Sequence, residues 1–144
     1  MTDFDANYHQ QALQEIKARA DLHIKNVKEA FGIALNYDEQ SIFRLDDIIE
    51  HGWLGAQPAN LKVVVELFGC YFGQVLTVVL GGKWKFSPEH KGWLIELIAS
   101  DGTIARANIF SKIAKRFKNG QVDSLSYYYQ MMKKGMSDNF AFKK

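Results

Sequence analysis

Twenty residues from Leu61 to Leu80, LKVVVELFGCYFGQVLTVVL, set the strongest limit on how this chain can fold. About twenty apolar residues in a helix would cross a bilayer. Lys62, Glu66 and Gln74 lie inside the run, however, and a charged side chain in hydrocarbon costs a few kcal/mol even on the insertion scale. The expectation is therefore a helix apolar on nearly all sides, the central helix of a core. Asn60 is the expected N-cap, and Gly81 and Gly82 supply the backbone freedom that closes a helix. Gly69 and Gly73, with Thr77 one turn on, form a smooth strip. Each glycine costs up to about 1 kcal/mol of helix propensity, so the strip predicts a second backbone packed closely against it.

Such a helix needs elements to cover it, and the chain is long enough to supply them. Its 144 residues suit one domain that buries roughly two-thirds of its unfolded surface. A hydrophobic fraction of 47% with 13% aromatics excludes a disordered or fibrous chain. The single cysteine cannot form an internal disulfide, and the first twenty residues show no basic segment followed by an apolar one. The expected location is the reducing cytoplasm, with no membrane partner.

Ahead of the central helix, two more are readable. Between Ala6 and Phe31, Leu13, Ile16, Ala20, Ile24, Val27 and Phe31 recur at spacings of three and four, which places them on one stripe of a long helix ended by Gly32. The seam is nearly heptad-like, so it would serve packing within the chain or, as a second reading, a homodimer. The segment YDEQSIFRLDDIIEHGW predicts a helix capped by Asp38 or Ser41 and buried through Ile42, Leu45 and Ile49. Asp46, Asp47 and Glu50 are expected on its solvated face, and no metal site is expected there.

After Gly82 the period changes. KWKF and WLIELIA alternate, SDGT holds an Asp-Gly pair suited to a tight hairpin, and TIARA follows. The reading is three short antiparallel strands, with Trp84 and Phe86 on one face. Asn108 should cap the helix IFSKIAKRFKNG, whose apolar side is Ile109, Ile113 and Phe117 and whose other side carries Lys112, Lys115, Arg116 and Lys118. Asp123 or Ser124 should start a last helix, SLSYYYQMMKK, leaving residues 135–144 as a tail that frays unless Phe140 and Phe142 dock. The expected architecture is a mostly helical α+β single domain over residues 1–144. Residues 1–36 form the N-terminal helix, and residues 37–134 hold the other helices and the small sheet.

Several of these stretches also carry a resemblance. GCYFGQVL, GGKW, FSKIAKRFKNGQVDSLSYYY and YDEQSIFRLDDII together resemble a bacterial family of uncharacterised domains. Its members share a glycine–tyrosine–glycine helix, a Gly-Gly-x-Trp helix exit and a lysine–arginine helix that ends in glycine before Asp-Ser-Leu. The match covers about residues 37–129. It implies a bacterial cytosolic origin and this fold, and it supplies no reaction. Gln74 stands where the pattern has glutamate, which keeps hydrogen-bonding capacity and loses charge.

Reactive motifs are sparse. There is no G-x-S-x-G, Walker loop, G-x-G-x-x-G or H-E-x-x-H, and His9, His23, His51 and His90 lack ligand spacing. No catalytic residue, metal or cofactor is assigned. Cys70 in an apolar helix should be an inert thiol; were it reactive, His51 or His90 should be its neighbour. The formal charge of +2 divides into −5 over residues 1–60 and +7 over residues 61–144, so the two halves should attract. The expected contact surface is Tyr71, Gln74, Trp84 and Arg116, a mix of aromatic area and hydrogen-bonding heads. These features favour a non-catalytic protein-interaction or regulatory module whose partner is another protein. A small hydrolase or transferase near Cys70 and Gln74 is the first alternative. Nucleic-acid binding through Lys112, Lys115, Arg116 and Lys118 is the second, with Tyr127, Tyr128 and Tyr129 as stacking partners.

Overall fold

The structure is a computed structural model that describes residues 3–53 and 58–141, with side chains from residue 6 onward. Five helices and three strands follow in the order α1 (Asp3–Phe31), α2 (Glu39–His51), α3 (Leu61–Val79), β1 (Lys83–Ser87), β2 (Gly92–Ile98), β3 (Ile104–Ala107), α4 (Ile109–Asn119) and α5 (Leu125–Ser137). A short 3-10 turn, Gly120–Asp123, joins α4 to α5. The fold is mostly helical α+β, as the periodicities predict.

Helix α3 is the centre. It is long and apolar enough to span a membrane by length and composition. Here α1, α2, α4 and the first two strands pack around it, and Phe68, Cys70, Tyr71, Phe72, Val75 and Leu76 are buried. From α1 the stripe Ile16, Ala20 and Val27 is spent on this core, while Leu13 and Phe31 stay over one-third exposed. The Asn60 side chain makes no capping hydrogen bond, unlike Asp38, Asn108 and Ser124, which each accept from a backbone N–H of the first turn.

The sheet is antiparallel in the order β1-β2-β3. Trp84 faces Ile95, Phe86 faces Trp93, and Ile95 faces Ala107, so these residues share the inner side with Leu97. The β2–β3 turn is the hairpin that Asp-Gly predicts. Gly102 has φ +90°, its N–H donates to the Ala99 carbonyl at 2.9 Å, and the Ala99 N–H donates to the Thr103 carbonyl at 2.9 Å.

At the C-terminus the docking of Phe140 meets the condition set for an ordered tail, and the last helix runs three residues further than expected. Helix α5 continues through Gly135 to Ser137, and Phe140 is buried in the core, its N–H donating to the Gly135 carbonyl at 2.7 Å. Phe140 supplies the apolar contact that fixes this end; Phe142 lies outside the described residues.

Candidate functional site

The glycine strip of α3 is filled by rings rather than by a backbone, a correction to the sequence reading. A Cβ on Gly69 would sit 2.4 Å from Cδ1 of Phe110, and one on Gly73 would sit 2.1 Å from Cζ2 of Trp84. The two rings stack on each other at 5.9 Å between centroids, and the Trp84 indole N–H donates to Gln74 Oε1 at 2.8 Å. Gln74 therefore orients Trp84 as a neutral acceptor, a task that does not require the charge of a glutamate. Gly81 adopts φ +68°, and Gly82 lies against Ile95 and Leu97 of β2. The glycine–tyrosine–glycine helix and the Gly-Gly-x-Trp exit are thus one packing device that seats the sheet on α3.

Of the four residues expected at a contact surface, Arg116 and Tyr71 are interior, and Gln74 and Trp84 are half-buried. Arg116 is 1% exposed and donates through Nε to Asp46 Oδ1 at 2.9 Å and through Nη2 to Glu50 Oε2 at 3.0 Å. Asp46, expected in solvent, is buried as well. It also accepts from the backbone N–H groups of Leu125 at 3.0 Å and Ser126 at 2.7 Å, and from the hydroxyls of Ser124 and Ser126. One carboxylate thereby pairs a buried guanidinium and holds the first turn of α5. Burial pushes the Asp46 pKa up, but the hydrogen bonds from Ser126, Leu125 and Arg116 more than offset it and hold it below the usual carboxylate range. Tyr71 stacks on Tyr37 at 5.1 Å, and its hydroxyl accepts from the Tyr37 N–H at 3.0 Å.

The basic patch is half as large as the sequence suggests. Arg116 is consumed in the core, and Lys112 pairs with Asp123 at 3.0 Å while lying over the Tyr128 ring. Lys115 and Lys118 remain exposed. Of the three tyrosines only Tyr127 is exposed; the Tyr129 hydroxyl is buried and donates to Glu39 Oε2 at 2.5 Å.

Cys70 and His90 do line a common groove, with Arg19, Glu66 and Lys62 around them. The thiol is not activated there. Burial and the Glu66 carboxylate outweigh Arg19 and push it up to about 12, and the His90 Nδ1 is engaged with the Ser87 hydroxyl at 2.8 Å. Among the described residues no group of three His, Cys, Asp or Glu side chains gathers as a metal site.

What the sequence reading missed is the outward face of the sheet. Leu94, Glu96 and Ile98 alternate with the inward residues of β2, and Ile98 pairs directly with Ile104 of β3. Both isoleucines are large apolar side chains left open, at 47% and 44% exposure. Beside them a concave trough of about 780 Å³ is lined by Lys85, Leu94, Glu96, Ile104 and Arg106, with the loop Pro88–His90 as one wall. Arg106 and Glu96 pair across the strands at 3.3 Å. The signal was present in WLIELIA, whose alternate residues are apolar on both sides of the strand.

No protein-family model, no curated protein and no solved structure matches this chain.

Proposed function

We propose that this chain is a non-catalytic interaction module of the bacterial cytosol, and that the outward face of its sheet is where a protein partner docks. The observation that supports this reading is the open Ile98–Ile104 pair next to the trough over Leu94. An apolar centre ringed by charged groups is the composition of protein interfaces. The rim carries both signs, with Lys85 and Arg106 against Glu89 and Glu96. That balance favours a partner of mixed charge over a nucleic acid, whose backbone calls for an uninterrupted basic surface. The bacterial cytosolic setting rests on the resemblance carried by residues 37–129. The enzyme alternative near Cys70 and Gln74 is weakened by the neutral, raised thiol and by the engagement of Gln74 with Trp84.

The test is a paired capture experiment from bacterial cytosol. The wild-type chain is compared with an Ile98→Lys, Ile104→Lys variant whose melting curve shows that it is folded. The expected result is one stoichiometric protein retained by the wild type and lost by the variant. With that protein purified, the variant should bind at least about tenfold more weakly, or roughly 1.4 kcal/mol. Equal retention by the two baits, or no stoichiometric partner for either, overturns the proposal.

A further inference from the structure

A second concavity, independent of the sheet, lies between α1, α3 and the end of α2. Its volume is about 330 Å³, and its walls include His23, Val27, Phe31, Trp53, Val64 and Phe68. Four rings meet there, with Trp53 at 5.8 Å from Phe31 and 6.2 Å from Phe68, and the His23 imidazole at 4.3 Å from Phe68. Almost all of this lining is apolar.

The polar exceptions are Asn26, which is half-buried, and His23. His23 is only 3% exposed, and its Nε2 is a buried polar atom with no hydrogen-bond partner among the described residues. Buried polar atoms are nearly always paired, because leaving one dry forfeits its hydration with nothing in return. A leucine or phenylalanine at this position would complete the wall without that loss. Burial also lowers the His23 pKa to about 4, so the ring is neutral in the cell and attracts no anion by charge.

We propose that this cleft is a binding site for a small neutral aromatic molecule bearing one hydroxyl group, which parts the cleft wall and hydrogen-bonds His23 Nε2, an atom sealed from solvent in the unliganded chain. Each part of that chemistry has its own reason. The volume stands at the small end of the roughly 300–1,000 Å³ range of ligand pockets, which suits one or two fused rings and not a nucleotide. The ring-lined walls favour an aromatic body through edge and face contacts. A hydroxyl both donates and accepts, so it satisfies Nε2 in either imidazole tautomer.

The probes for this site are 2-naphthol and naphthalene, which share an apolar body and differ by the hydroxyl. Isotope-labelled protein is titrated with each and followed by amide and histidine ring-nitrogen NMR. The expected result is saturable movement of amides along His23–Phe31 and Val64–Phe68 with 2-naphthol, together with a shift of the His23 Nε2 resonance. Naphthalene should bind at least about tenfold more weakly, the worth of one hydrogen bond to a buried group. His23→Phe, which keeps the wall apolar, should abolish the preference between the two probes. The proposal is overturned if neither probe gives saturable shifts, if both bind the wild type equally, or if Nε2 does not move. The Nε2 measurement uses the wild-type chain, so the outcome is readable even if the variant does not fold.

Discussion

Replacing Asp46 with alanine removes in one step the acceptor of five hydrogen bonds, from Arg116 Nε, the Leu125 and Ser126 N–H groups and the Ser124 and Ser126 hydroxyls. The Arg116 guanidinium would keep Glu50 and the residue-46 carbonyl, yet remain buried with its closest counter-charge gone. Breaking a buried ion pair from one side costs about 3–5 kcal/mol. The lost cap on α5 belongs to the same network, so it is not added separately. For a domain of 144 residues the unfolding entropy is about 0.3 kcal/mol/K, which makes the expected fall in Tm roughly 10–17 °C. Urea unfolding followed by tryptophan fluorescence and by far-ultraviolet circular dichroism measures the change. The double variant Asp46→Leu, Arg116→Met should lose less than Asp46→Ala alone, because it leaves no charge stranded. A loss below about 1 kcal/mol for Asp46→Ala, or a double variant worse than the single one, would refute the reasoning.

Two further outcomes test other parts of the fold. Gly73→Ala should displace Trp84, break its bond to Gln74, shift the tryptophan emission and cost about 1–3 kcal/mol. Gly92→Ala, whose Cβ would meet nothing nearer than 3.8 Å, should change little; equal stability of the two variants would sink the packing argument. The pKa of His23 lies near 4 in the folded chain against an ordinary 6.5, so between those values the unfolded state binds a proton that the folded state does not. Stability should therefore be full above about pH 6.5 and decline as pH falls toward 4, by about 3 kcal/mol in all. His23→Phe should remove that component from the stability–pH curve, and an unchanged slope in the variant would count against a neutral buried imidazole.

Most of the architecture was legible because it rests on period and punctuation. Apolar spacings of three and four marked the helices, Asn108 and the pairs Asp38/Ser41 and Asp123/Ser124 marked starts, of which Asp38 and Ser124 are the caps, and Asp-Gly marked the hairpin. The interior of the candidate site was misread because charge was given more weight than position. Arg116 follows Ile109 and Ile113 on the same stripe of α4, and Asp46 stands beside Leu45 on the buried side of α2. Each residue alone would be expelled from a core; together they neutralise each other, and nothing in the local sequence announces a partner 70 positions away. The glycines of α3 predicted a tight contact without naming its occupants, since Trp84 and Phe110 reach them from two different elements.

The span of the Asp46 network also bears on how the molecule comes together. The donors that meet this carboxylate lie 70 to 80 residues further along the chain, beyond α3 and the whole sheet. During synthesis, the N-terminal helices can collapse on their apolar stripes, but α2 keeps an unanswered carboxylate until α4 and the start of α5 have left the ribosome. Loops of that length close slowly, and they gain nothing until both ends meet. The carboxylate thus ties the beginning of the domain to its end, so no amino-terminal portion is a finished structure and the last helices decide when the whole has folded.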